Sequence, residues 1–269
     1  MTRRTLTSGL VLGAGMALAQ TTESHEARGK RVIQEALKAL GGDAFLHMNN
    51  RVETGRAYAF YREQLSGLDR AAIYTRYLPP VPGKLEMLER ENFGPKQDSG
   101  FLFLTNGAWE INYHGARPMD DEKYAAYRYS GVRNILYILR QRLNEPEIAF
   151  YSQGSDMFEN RPVEIVDITD AEISTVTIYF DARSKLPVRQ SFRKRNEQFH
   201  DFDTEVTILG GYREIDGIMW PCNVRRERNG ERTYELFADQ VQFNQDLSDS
   251  LFTIEGDVKV PGKASGKKK

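Results

Sequence analysis

Between Gly210 and Thr253 the chain carries Asp216-Gly217 and Asn229-Gly230, each set between β-prone alternating runs. Both dipeptides favour the positive φ angles that two-residue hairpin loops need, so one hairpin must follow another. Pro221 in the middle strand has no N–H to give to a ladder, which restricts it to a strand start, a bulge or an edge. An end of this kind commits the chain to antiparallel sheet.

The rest of the chain adds to that sheet. From Arg51 the period is near two: Val52, Thr54, Arg56, Tyr58, Phe60 and Arg62 share one face, and Gly55, Ala57, Ala59 and Tyr61 the other. The small residues of the second face predict a closely packed neighbour. Further strands are predicted over 71–78, 85–91, 101–105, 108–114, 148–153, 162–169, 174–181, 186–195 and 201–213. Asn106-Gly107 predicts a two-residue turn pairing Thr105 with Ala108, Leu104 with Trp109 and Leu102 with Ile111.

Two segments have helical spacing. Val32, Ile33, Ala36, Leu37 and Leu40 form an apolar stripe stopped by Gly41-Gly42, after which Asp43 can cap a short turn over 44–48. Val132, Ile135, Leu136, Leu139 and Leu143 form a second stripe, with Ser130 as candidate cap and Pro146 as terminator. Asp120-Asp121-Glu122 after Pro118 places negative charge where a helix opening favours it. A helix inserted among antiparallel strands must lay its stripe on the sheet, covering an open face or plugging a barrel mouth.

The ends speak to location. Arg3 and Arg4 precede an apolar run over 6–18, and Ala17-Leu18-Ala19 offers the small residues that a signal peptidase accepts, predicting cleavage between Ala19 and Gln20. The run is too short to span a bilayer. The paired arginines suit the general export route and also have a twin-arginine flavour. The mature protein is expected to be a single periplasmic domain over 20–257 followed by a basic tail over 258–269. Without Arg3 and Arg4, the 37 basic and 38 acidic residues leave a mature net charge of −3, which offers no footprint for nucleic acid.

Few residues suggest chemistry. Cys222 is the only cysteine, so no intramolecular disulfide forms. The histidines, His25, His47, His114 and His200, lack metal-binding spacing, and no nucleophile elbow, Walker loop or dinucleotide fingerprint occurs. Asp201, Asp203 and Glu205 would share one face of a strand and could hold Ca²⁺. The preferred reading is a charge ladder in which Arg195 meets Asp201 and Arg193 meets Asp203. No catalytic group, metal or cofactor is predicted.

Four passages carry a family likeness. The run Tyr212 to Pro221 with its Asp-Gly turn, then the Asn-Gly hairpin, Phe243-Asn244 and Asp249-Ser250-Leu251-Phe252, resembles the C-terminal half of the periplasmic lipoprotein-carrier (LolA-like) family. Ala39-Leu40-Gly41-Gly42-Asp43-Ala44-Phe45, Pro82-Gly83-Lys84-Leu85-Glu86, and Tyr179-Phe180-Asp181 followed by Lys185-Leu186-Pro187-Val188-Arg189 extend the likeness over most of the mature chain. The resemblance implies a mainly β (α+β) fold: a half-open antiparallel β-barrel of about 11–12 strands, with helices covering or plugging its concave face. It also implies a non-catalytic, monomeric carrier of lipoproteins or other acylated ligands that exchanges cargo with membrane-associated donor and acceptor proteins. The family's arginine that influences ligand transfer is not assignable between Arg56 and Arg76.

Candidate residues for the apolar cavity are Phe60, Leu102, Leu104, Trp109, Ile111, Ile135, Leu139 and Trp220. Two other functions stay open at this point: an envelope lipid sensor using the same fold, and an envelope hydrolase whose residues assemble only in space.

Overall fold

The computed structural model describes residues 23–254 apart from 197 and 198. The predicted export segment and basic tail therefore lie outside the described residues. Among the described residues, no helix is long and apolar enough to cross a membrane.

Helix α1 (His25–Leu40) and the single turn α2 (Asp43–Leu46) come first. They are followed by β1 (Asn50–Tyr61), β2 (Gln64–Tyr77), β3 (Met87–Phe93), β4 (Ser99–Leu104), β5 (Gly107–Asn112) and β6 (Gly115–Pro118). A helical crossing comes next: α3 (Asp121–Gly131), α4 (Ile135–Tyr137) and a π turn over Ile138–Arg142. The chain then runs through β7 (Ala149–Phe158), β8 (Arg161–Thr169), β9 (Thr175–Asp181), β10 (Pro187–Asn196), β11 (Asp201–Ile215), β12 (Ile218–Arg228) and β13 (Glu231–Phe243). A 3-10 turn over Asp249–Phe252 closes it.

All strands join one antiparallel sheet in the order β6-β5-β4-β3-β2-β1-β13-β12-β11-β10-β9-β8-β7, a 13-stranded sheet rather than one of 11–12. Two meanders are thus zipped together by the β1–β13 pair. The topology explains the helices: β6 and β7 are opposite edges of the sheet, so the connection between them has to cross its full width. Helix α1 touches β7, β8 and β12, which are far apart in strand order, so the sheet curls around it.

The turn chemistry of the C-terminal meander is as predicted. Asp216 and Gly217 have φ of 51° and 77°, Asn229 and Gly230 of 52° and 86°, and each pair closes a two-residue loop. Pro221 faces Tyr212 where the ladder skips Gly211 and Cys222 and Gly211 takes φ +59°. Arg62-Glu63 and Glu159-Asn160 form the same kind of turn, with both φ positive, from residues that do not announce it.

Four local expectations are corrected. The β4–β5 turn consists of Thr105 and Asn106, so Leu104 pairs with Gly107 and Leu102 with Trp109. Gly107 serves the strand instead: a Cβ there would lie 3.0 Å from the Trp109 ring that folds over it. The charge ladder is shifted by one residue, with Lys194 opposite Asp203, Asn196 opposite Asp201 and Arg193 opposite Thr204. The β12–β13 tip locks that register, because the Asn229 N–H donates to Thr204 O at 2.9 Å and Thr204 N–H donates to Asn229 Oδ1 at 2.8 Å. Asp203 then accepts from Asn196 and Asn229, and Glu205 from Arg228.

The middle helix is broken in two. Asp120, accepting from the N–H groups of Glu122 and Lys123, caps α3, and Asn134 rather than Ser130 caps α4. Asp43 opens α2 with Gly42 in the cap position.

Candidate functional site

The concave face has two unequal halves. In the half formed mainly by β7–β12, α1, α4 and the π turn fill the space: Val32, Ile33, Ala36, Leu40, Ile135 and Leu139 pack on Phe150, Val166, Ile178 and Phe180. The other half holds a separate cluster of Ala57, Ala71, Ile73 and Leu236, flanked by Phe93, Val224 and Tyr234. Every member of that second cluster comes from a strand, so among the described residues strands alone form and bury this apolar floor.

Cross-strand pairing shows which side chains share the face of that floor. Phe103, Glu89, Thr75, Arg51 and Phe243 form one row across β4, β3, β2, β1 and β13. Phe101, Glu91, Ile73, Glu53 and Val241 form the next row on the same face. Polar groups therefore line a wall beside the apolar floor. Arg226 of β12 interacts electrostatically with Glu91 of β3 although four strand steps separate them, which the curl of the sheet brings about.

Arg51 organises the wall. Its Nη2 donates to Thr75 Oγ1 at 2.9 Å and lies 3.6 Å from Glu89 Oε2. Its Nε is 3.0 Å from Glu53 Oε2 but off the N–H axis, so that contact is a charge pair without a hydrogen bond. The guanidinium also sits 4.8 Å from the centre of the Trp220 ring, whose Nε1 donates to Glu53 Oε1 at 2.7 Å. Burial on its own would lower the pKa of Arg51; Glu53 and Glu89 outweigh it and hold the cation above its ordinary value. Thr75 Oγ1 donates to Glu89 Oε2 at 3.0 Å, and Tyr127 OH of α3 to Glu89 Oε1 at 3.2 Å. Tyr127 stacks on Phe103 with ring centres 3.7 Å apart, and burial raises its phenol.

Glu91 is different. Among the described residues it has no hydrogen bond and no ion pair. Burial, and then the Glu89 carboxylate, push its carboxyl up to about 8 against the pull of Arg226 and Arg51. It is nonetheless half-buried rather than sealed. Tyr234, also half-buried, senses Arg226, Glu91, Glu53 and Glu89 together, and burial raises its phenol.

The sequence-predicted cavity residues disperse. Leu102 and Trp109 belong to the row of Arg90 and Tyr74, on the opposite face of the sheet, and Leu104 and Ile111 lie in neighbouring rows of that same face. The chain end covers part of that face: Arg90 donates to Leu251 O, and Arg76 donates to Asp249 and lies over Phe252. Arg76 is thereby engaged in holding the C-terminal turn, and Arg56 pairs with Asp239 in an exposed position. Ile135 and Leu139 are fully buried in the packed half. Phe60 lies under the Arg232 guanidinium, 4.2 Å from it, near the β1–β2 turn. Trp220 alone of the eight reaches the polar wall. The wall residues Arg51, Glu53, Glu89 and Glu91 are missing from that set, though their i, i+2 spacing in β1 and β3 puts charge on one face of central strands.

Two clefts of about 510 and 460 Å³ lie beside Arg133 and beside the C-terminal turn. The Arg133 guanidinium is engaged locally by Ser174 Oγ and Tyr129 O. Among the described residues, no histidine, cysteine and carboxylate grouping is arranged to hold a metal.

Neither a family model nor a curated protein matches the sequence. Comparison with solved structures decides the fold. A DUF1329 family protein from Desulfovibrio piger superposes with a TM-score of 0.58 at 13% identity, covering 84% of this chain and 97% of that one. An outer membrane lipoprotein-sorting protein domain from Vibrio parahaemolyticus gives 0.56 at 10% identity, with 84% and 96% covered. A LolA superfamily protein from Nitrosomonas europaea gives 0.51 at 12% identity, with 84% and 97% covered. The fold is LolA-like. An open LolA-like sheet accounts for both halves seen here, one packed by helices and one lined by strands.

Proposed function

We propose that this protein is a periplasmic carrier that holds a lipid or the acylated end of a lipoprotein in the strand-lined hollow, without converting it. The observation that supports the reading is the second apolar cluster: Ala57, Ala71, Ile73 and Leu236 form a floor drawn, among the described residues, from strands alone. An acyl chain laid on that floor would gain about 0.8 kcal/mol for each CH₂ it buries, and so would bind without any specific bond. The likeness to a lipoprotein-sorting protein domain and to a LolA superfamily protein supports the same reading. The export signal predicted from residues 1–19 supports a location where such cargo has to cross water, and membrane-associated donor and acceptor proteins would load and unload a monomer.

The test is native mass spectrometry of the mature protein isolated from the envelope of a Gram-negative host. The reading predicts a bound mass of a lipid or acylated species that organic extraction removes. A protein that is mass-homogeneous as isolated and takes up no decyl-chain compound would refute it.

A further inference from the structure

We infer that the cleft of about 510 Å³ at the end of the β8–β9 hairpin is an anion site, which takes a phosphate ester with its oxyanion on the Arg133 guanidinium and its carbon part beside Ile173.

The strand lengths explain why a cleft stands there. β10 and β11 stay paired out to Asn196 and Asp201, whereas β9 leaves β10 at the Val176–Phe192 pair. The notch beyond that pair is lined by the 172–175 segment, by Arg193 and Thr204, and by Tyr129 and Arg133 at the end of α3 and just past it. Its volume lies in the range of small-molecule sites.

Arg133 is 5% exposed, yet no carboxylate forms an ion pair with it among the described residues. Its Nε donates to Ser174 Oγ and its Nη1 to Tyr129 O, both at 2.9 Å, so the acceptors that hold it are neutral. Its Nη2 has no hydrogen-bond partner among the described residues. Two carboxylates act on it electrostatically, Asp170 and Glu172. Asp170 is committed elsewhere: Oδ2 lies 3.2 Å from Arg142 Nη2, and Oδ1 accepts from the N–H groups of Glu172 and Ser174. Glu172 is exposed at the rim. A guanidinium this deep is costly without a counter-ion, and an anion entering the cleft supplies one.

The surroundings select a phosphoryl group. Ser174, having accepted from Arg133, keeps its own hydroxyl proton to donate, and the Thr204 hydroxyl makes no bond among the described residues. Arg193, exposed at the mouth, and Lys194, whose Nζ is 6.0 Å from the Tyr129 ring, add positive charge. A guanidinium fork with several donors around it suits the three outer oxygens of a phosphate ester better than the two of a carboxylate. Ile173 then speaks for a larger molecule than phosphate itself. It is 83% exposed and holds φ of 58°, a left-handed conformation that is costly for a β-branched residue, and it presents an apolar side chain at the lip of the cleft.

The experiment is calorimetric titration of the delipidated full protein with phenyl phosphate and with benzyl alcohol, beside flotation with phosphatidylcholine vesicles that contain or lack phosphatidic acid. The expected result is that phenyl phosphate binds saturably and about tenfold or more tighter than benzyl alcohol. Arg133→Gln should remove that preference and Arg193→Gln should weaken it, while Glu172→Gln, which takes a like charge from the rim, should strengthen it. A purely structural Arg133, tying α3 to the 170–174 turn, would lower stability on substitution and leave the rim variants without effect on phosphate binding. Flotation that needs both phosphatidic acid and Arg133 assigns the site to a lipid headgroup, and phenyl phosphate binding without such flotation assigns it to a soluble ester. Absence of binding in both arms, or binding that these variants do not alter, overturns the site; if Arg133→Gln does not fold, Arg193→Gln and Glu172→Gln decide. The Ala57–Ala71–Ile73–Leu236 floor lies on other strands, so the carrier reading stands or falls by its own test.

Discussion

Replacing Arg51 by Met removes the one cation that Glu53 and Glu89 share while keeping the length of the side chain. The side chains are 13%, 6% and 9% exposed, so the carboxylates left behind cannot turn to water. Breaking a buried pair by deleting one partner costs about 3–5 kcal/mol, because the remaining charge is uncompensated. For a domain of this size each kcal/mol moves Tm by roughly 2–4 °C, so Arg51→Met should melt about 6–20 °C lower. The triple variant Arg51→Met, Glu53→Gln, Glu89→Gln should recover most of that loss, because neutral amides still accept from Trp220, Thr75 and Tyr127. Urea denaturation of the three proteins measures both quantities. A loss under about 1 kcal/mol for the single variant, or no recovery in the triple one, would refute the assignment of Arg51 as the charge centre of the wall.

Glu91 gives a pH signature. Its folded pKa of about 8 lies above the ordinary carboxylate value, so the folded state retains a proton that the unfolded chain releases, and stability falls as pH climbs from about 4.5 to 8. Glu91→Gln removes that decline and should stabilise the protein by roughly 2 kcal/mol at pH 9 with little effect near pH 4, discounted for partial exposure, as read from denaturation midpoints. Trp220→Phe leaves Glu53 Oε1 without its donor and should cost about 1–3 kcal/mol in urea unfolding. Asp120→Ala removes the α3 cap and should cost about 0.5–2 kcal/mol, visible as a lower Tm with ligand binding retained.

How far the sequence reveals this molecule depends on whether the determining interaction is local. The Asp216-Gly217 and Asn229-Gly230 turns, the α1 stripe with its Gly41 stop, and the acidic start of α3 are short-range effects and were readable. The β4–β5 register was not, because Gly107 serves the Trp109 ring rather than the turn. Nor was the β10–β11 register, which depends on a contact from the tip of the next hairpin. The break between α3 and α4 follows from the need to cross the whole concave face between edge strands, which is a property of the topology.

The site was hidden for a similar reason. An apolar-cavity search selects Leu102, Trp109 and Ile111, whose rows fall on the other face once the strands are paired. The proposed site emerges only after pairing, when Ala57, Ala71 and Ile73 become a floor and Arg51, Glu53, Glu89 and Glu91 a wall on the same side.

The most direct measurement of the central claim is titration of the purified, delipidated protein with a fluorescent acyl probe, comparing wild type with Ala71→Phe, which puts a ring into the space above the floor. Space in the hollow predicts that the variant folds with a stability loss under about 1.5 kcal/mol and loses saturable probe binding. A variant that binds the probe as tightly as wild type, or one that cannot fold because the interior is already filled, would contradict the account.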